Sequence, residues 1–220
     1  MPVSRKTVNV VQLFSQRPRL ARSSWLVGAL TGLALLIAPG ASAQAALVST
    51  SACNGATLTQ PFKSWGDTNS YELLPGGDFE GSLSGWTLGG GARKTTGSEP
   101  FGASGVVGSS SLYLPAGASA QSPFTCVNAA YPIFRFFGRN SSLLSTVLVQ
   151  VVYNEPLVGE VAVPVGAVAL SGNWSPTLQM LTASAVAGAL SNGTAQVALR
   201  FTALTGASQI DDVFIDPRCM

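Results

Sequence analysis

Ten carboxylates and no histidine bound the chemistry this chain can offer. Without imidazole there is no Ser-His-Asp or Cys-His relay, no His-ligated zinc and no general base of the commonest kind. The stretch Gly81-Ser82-Leu83-Ser84-Gly85 has Leu at its centre, where a nucleophile elbow needs serine. No Gly-x-x-x-x-Gly-Lys-Ser/Thr phosphate loop occurs. The cysteines Cys53, Cys126 and Cys219 are too scattered for a zinc site. A carboxylate pair remains able in principle to hydrolyse glycosides. A general acid, however, needs an apolar pocket to raise its pKa, and these acids fall in Gly-rich turns or at strand ends. We expect no catalytic residue and no enzyme.

Two acid-bearing stretches organise the chain. The first is Pro75-Gly76-Gly77-Asp78-Phe79-Glu80-Gly81-Ser82-Leu83-Ser84-Gly85-Trp86. It reads as a tight turn, one short strand, a second turn and a large aromatic anchor, with Phe79 and Trp86 directed to the core. The second is Gln209-Ile210-Asp211-Asp212-Val213-Phe214-Ile215, a strand near the C-terminus. The pair predicts a sandwich whose first and last strands meet and bring carboxylates together. Strand residues alternate, so Asp211 and Asp212 are expected on opposite faces, and only one, with Asp212 favoured, can meet Glu80. Adjacent acidic strands repel unless a cation or a hydrogen bond intervenes.

The elements that must hold these stretches begin with an export signal. Arg5, Lys6, Arg17, Arg19 and Arg22 precede an uncharged run from Trp25 to Ile37, then Pro39-Gly40 and Ala41-Ser42-Ala43. A basic, then apolar, then small-residue order is that of a cleaved signal peptide, expected over residues 1–43. That segment holds five of the twelve basic residues and none of the ten acidic ones. The mature chain is therefore net negative, and no Lys/Arg cluster remains to suggest nucleic acid. Residues 44–55 read as a loose leader and 56–220 as a single domain, secreted and with no membrane span after cleavage. In an oxidising compartment an odd cysteine count implies one bridge and one spare thiol. Cys53–Cys126 is the expected bridge, because Cys53 would otherwise dangle, whereas Cys219 is penultimate in the chain.

Within the domain, short alternating runs are separated by turn residues. Ser110 to Leu114 sets Leu112 and Leu114 against Ser111 and Tyr113; Ala118 to Ser122 reads as its return strand. Ile133 to Phe137 carries aromatics on both faces, and Ser145 to Tyr153 places Val147, Val149 and Val151 on one face. Leu157 to Val165, Ala195 to Ala203 and Ser208 to Ile215 follow. This pattern predicts an all-β, two-sheet antiparallel sandwich. Pro176 to Leu190 is the exception, read as a crossover loop with one short helix.

Gly76-Gly77-Asp78-Phe79-Glu80 followed by Gly85-Trp86, with Ile210-Asp211-Asp212-Val213 near the C-terminus, resembles the jelly-roll carbohydrate-binding modules of families four, nine and twenty-two and the wider galactose-binding-like sandwich group. Pro75 stands where those modules usually carry Asn. The arrangement also looks like a group of uncharacterised exported actinobacterial proteins, from which no function carries over. The resemblance implies a non-catalytic jelly roll that binds glycan at the cell surface or in the medium. It also implies a structural calcium held by Glu80 and Asp212, completed by carbonyls or water.

For a glycan the residues offered are exposed aromatics, which stack on sugar faces, and cations on a sheet. Among the aromatics in turns or on polar faces, Tyr113 and Trp174 are the named candidates, beside Trp65, Tyr71, Phe101 and Tyr131. Arg135 and Arg139 fall on one face of the Ile133 strand with Phe137 between them. They are placed to hold a polar ligand, or to pair with Glu155 or Glu160. The second expectation is a structural or protein-interaction domain of the same fold with no sugar site.

Overall fold

A computed structural model describes residues 57–128, 133–155, 157–181 and 194–216. The expected signal peptide, the leader, Cys53, Cys219 and Tyr131 lie outside the described residues. The first strands are β1 (Leu58–Thr59), β2 (Tyr71–Leu73), β3 (Thr87–Gly89) and β4 (Arg93–Thr96), with a 3-10 turn at Lys63–Trp65. Then come β5 (Ser110–Leu114), β6 (Ser119–Gln121), β7 (Thr125–Asn128), β8 (Ile133–Asn140) and β9 (Thr146–Glu155). The last are β10 (Gly159–Ala169), β11 (Ser175–Pro176), β12 (Met180–Leu181), β13 (Thr194–Thr205) and β14 (Ser208–Asp216).

The strands form two antiparallel sheets, as the alternating runs predict. In the first, β14 pairs with β8 along one edge. Its other edge takes β5 at its start and β2 at its end. β4 lies outside β5, β1 outside β2, and β11 and β12 outside β8. In the second sheet β10, β9 and β13 follow one another, and the far edge of β13 takes β7 and then β6, with β3 outside β6. β6 is thus no return strand to β5; it crosses to the opposite sheet. Residues 175–181, where a helix was expected to begin, instead form two short pairings with the outer edge of β8. Pro176 suits such an edge, because it has no N–H to leave unpaired. Residues 182–193 lie outside the described residues.

The core follows from the two-residue period of a strand. Leu112 and Leu114 of β5, Phe134 and Phe136 of β8, Val147, Val149 and Val151 of β9, and Val197, Leu199 and Phe201 of β13 fill the space between the sheets. Phe79 and Trp86 join them. A second, smaller cluster covers the outward face of the first sheet: Phe62, Tyr71, Ile133, Phe137 and Phe214.

The Pro75–Trp86 stretch holds turns and bends but no strand, yet it meets the last strand as expected. Leu74 N donates to Val213 O at 2.9 Å and Val213 N to Gly77 O at 3.0 Å. Trp86 Nε1 donates to Pro75 O at 2.9 Å, and its ring sits 5.0 Å from Phe79. A Cβ on Gly77 would lie 2.9 Å from Val213 O and 3.0 Å from Leu74 O. No side chain fits there, which is why the chain needs glycine at this approach.

The contact has a counterpart in β14. Its pairing with β8 shifts register between Asp211 and Phe214, and Asp212 adopts a left-handed φ of 45°. Ile210, Val213 and Ile215 point into the main core, while Phe214 points to the outer cluster. One extra residue, Asp212, is therefore absorbed as a bulge. Asp tolerates this backbone better than most residues.

Candidate functional site

Arg139 of β8, Gln209 of β14, Tyr113 of β5 and Arg93 of β4 stand directly opposite one another across four adjacent strands. Opposed residues share a face, and this one is the outward face, since the flanking Leu112, Leu114 and Ile210 fill the core. Arg139 Nε donates to Gln209 Oε1 at 2.5 Å. The Arg93 guanidinium lies 4.4 Å from the Tyr113 ring centroid. Trp174, in the loop before β11, extends the row beyond Arg139, whose guanidinium lies 5.1 Å from its ring. Each cation rests on a π face, an arrangement that orients both groups. Arg93 is exposed, and Tyr113, Arg139 and Trp174 are half-buried.

Three of the four expected ligand residues, Tyr113, Arg139 and Trp174, are thus brought together. Arg135 is not among them in role. It shares the face of Arg139 but is 6% exposed. Its Nη1 pairs with Asp67 Oδ2 at 2.7 Å, its Nε donates to Thr177 O at 2.7 Å, and it stacks 4.2 Å above Phe62. Its partner is therefore Asp67; Glu160 pairs instead with Arg200, at 3.0 Å. Burial alone would raise the Asp67 pKa, but hydrogen bonds from Tyr71, Gln179, Arg135 and the Asn69 amide outweigh it and hold the group below its ordinary value. An open pocket of about 520 Å³ lies over this pair, edged by Trp65, Asn69 and Gln179.

The outward face of the second sheet carries a groove of about 440 Å³, with Gln121, Gln150, Glu160 and Arg200 in its lining. Arg200 is bound to Gln121 and Glu160, and no aromatic residue lines the groove. It offers hydrogen bonds without a stacking surface.

The carboxylates of the two acid-bearing stretches take different donors. Glu80 receives Ser109 N at 2.7 Å, Ser109 Oγ at 2.8 Å and Ser110 N at 2.7 Å. Burial pushes its pKa up, but these bonds and Lys94 bring it below the ordinary value. Both its oxygens thus face protein donors. Asp212 lies instead against the loop before β5, taking Ser104 N at 2.9 Å. Asp211, beside it, takes Ser98 Oγ at 2.7 Å and Glu99 N at 2.8 Å. Glu99 is fully buried, accepts the amides of Phe101 and Ala103, and shares a hydrogen bond with the Asp212 carboxyl. Burial raises Asp211 to about 7. Burial, then repulsion from Asp211 and Glu99, raises Asp212 further. Among the described residues no group of three or more His, Cys, Asp or Glu has the arrangement of a metal site.

Sequence reasoning missed Arg93, Gln209, Asp67 and Glu99. Arg93 and Gln209 depend on register across three strand pairs, which no local pattern encodes. Asp67 meets Arg135 across 68 residues, and Glu99 meets Asp211 across 112. Cys126 lies on β7 opposite Gln196.

No family model matches the chain, and no curated protein matches it. Solved structures do. The CBM22-1–GH10 modules of endo-1,4-beta-D-xylanase 10B from Clostridium thermocellum, complexed with xylohexaose, are 17% identical at a TM-score of 0.50, covering 68% of this chain and 29% of that one. The chain thus spans under a third of that protein's length. The CBM22-1 xylan-binding domain of Paenibacillus barcinonensis Xyn10C is 15% identical at 0.46, covering 65% and 93%. A family 11 carbohydrate-binding module from Clostridium thermocellum, in complex with a mixed-linked tetrasaccharide, is 11% identical at 0.44, covering 66% and 94%. At 17% identity and a TM-score of 0.50 the likeness establishes the fold alone, a jelly-roll β-sandwich.

Proposed function

We propose that this chain is a secreted, non-catalytic β-sandwich module that binds carbohydrate on the outward face of its first sheet. The observation that carries the reading is the row Trp174–Arg139–Gln209–Tyr113–Arg93. It combines two accessible rings with planar hydrogen-bonding groups on rigid strands. A pyranose presents a C–H face and an equatorial rim of hydroxyls. Rings serve the first through apolar contact, and guanidinium and amide groups serve the second. Strand-borne side chains are also held more firmly than loop residues.

A polysaccharide array with wild type, Trp174→Ala and Tyr113→Ala tests this. Retention of at least one polysaccharide, lost or strongly weakened in both variants, is expected. Binding unchanged in both variants would remove the row as the site. Silence across the array would favour the second reading, a protein-interaction domain. That reading has its own support in Leu143-Leu144 and Leu157-Val158, four large apolar side chains at two loops that are 71% exposed or more.

A further inference from the structure

The four described arginines divide into two kinds. Arg135 and Arg200 each lie within ion-pair distance of a carboxylate, Asp67 at 2.7 Å and Glu160 at 3.0 Å. Among the described residues Arg93 and Arg139 form no ion pair, and both stand on the row. A guanidinium has five N–H donors. Arg139 directs Nε to the neutral Gln209 amide, and Arg93 directs Nη1 to Gly91 O at 3.3 Å. The rest of each fork remains for a ligand. The nearest acid in sequence register, Asp211, is fully buried and turned to Ser98 and Glu99. Lys94, beside Arg93, is committed to the carbonyls of Glu80 and Gly81.

This local positive charge runs against the rest of the molecule. Beyond residue 43 the chain carries more acidic than basic residues. A neutral sugar can use guanidinium N–H donors as it uses amides, but it gains nothing from their charge. A carboxylate matches the guanidinium fork bidentately, in bonds roughly twice as strong as neutral ones. The two arginine backbones sit three strand spacings apart, about 14 Å at about 4.8 Å per strand, and each fork rests on its own π partner, Arg93 on Tyr113 and Arg139 on Trp174. One small anion cannot bridge them with both forks held in those places. A chain with carboxylates along its length can, and the second contact then forms at high effective concentration.

We infer that the row selects an anionic polysaccharide, a polymer of uronic acids, whose carboxylates engage Arg93 and Arg139 while a sugar ring lies on Tyr113. The inference rests on the glycan reading above.

The test compares polygalacturonate, the same polymer fully methyl-esterified, neutral xylan and dextran sulfate. Binding is measured by titration calorimetry with wild type, Arg93→Gln, Arg139→Gln and Trp174→Ala. Equal melting temperatures check that each variant folds. Polygalacturonate is expected to bind best. Each arginine variant weakens it about tenfold, the value of one charge-assisted hydrogen bond, and methyl-esterification weakens it at least as much. If xylan or the esterified polymer binds as tightly as polygalacturonate, indifferent to both arginine variants, the anionic class is overturned and the glycan reading stands. If dextran sulfate binds as tightly and ignores Trp174→Ala, the attraction is charge alone and the inference fails. If no polymer binds, both readings fall together.

Discussion

Asp211 and Asp212 are consecutive residues of one β-strand, yet both carboxylates face the same loop, residues 98–104. Strand alternation forbids this in a regular ladder. The bulge at Asp212 permits it, and the loop answers with two amides and a serine hydroxyl but no cation. Asp211 and Asp212 thus share one small volume with a third buried carboxyl, Glu99.

Stability is accordingly expected to decline as pH rises. Asp211 and Asp212 titrate above their ordinary value in the folded chain. The folded state therefore holds protons that the unfolded state has released, and stability falls where the unfolded state binds fewer. The contribution is fully present below the unfolded value of about 3.8 and is lost through about pH 7 and above. Asp67 and Glu80 act oppositely, since their values are depressed, and their contribution is lost as the medium becomes strongly acidic. Thermal melts should peak near pH 5 and drop several degrees by pH 8. Asp212→Asn should flatten the alkaline side and raise the melting temperature at pH 8. A variant that melts lower than wild type in calcium, with the gap closed by chelator, would instead point to a bound cation.

The closure makes a steric prediction. Gly77→Ala drives a methyl group into the carbonyl oxygens of Val213 and Leu74. Both are backbone atoms, so neither can swing aside. Overpacking of this kind costs about 1–3 kcal/mol, and denaturant midpoints should shift accordingly. Gly81→Ala has no atom within 4 Å of the new carbon and should leave the midpoint unchanged within error.

How far such features were legible depends on range. The inward residues of β5, β8, β9 and β13 were plain, because a period of two is written locally. So was the meeting of Gly77 with Val213, because both ends carry distinctive Gly and Asp runs. The bulge was not legible: one left-handed residue reverses the facing of everything before it, and Asp212 has no local mark of that. The row on the first sheet was half legible. Tyr113, Arg139 and Trp174 announce themselves by type, whereas Arg93 and Gln209 join only through register. Arg135 and Arg139 look equivalent in sequence and part only when Asp67 arrives from the N-terminal side.

The disulfide expectation yields a mapping experiment. Cys126 sits on β7, at the outer edge of β13, and a bridge to Cys53 would tie residues 44–55 to the second sheet. Non-reducing peptide maps should join Cys53 to Cys126, and reduction should cost about 2–5 kcal/mol of stability. A peptide joining Cys126 to Cys219 would replace this pairing.

The two arginines of β8 should separate cleanly in mutagenesis. Arg135 and Asp67 both lie buried, and each is the other's compensation. Removing one partner strands a charge in a poorly hydrated site, a loss of about 3–5 kcal/mol. Arg135→Gln and Asp67→Asn should each lower the melting temperature markedly. The double variant Arg135→Met/Asp67→Asn should recover part of the loss, because no bare charge remains. Arg139→Gln loses a half-exposed contact with Gln209 and Trp174 and should melt within a degree or two of wild type while losing affinity. If Arg139→Gln unfolds the chain as readily as Arg135→Gln, the row serves the sheet and not a ligand.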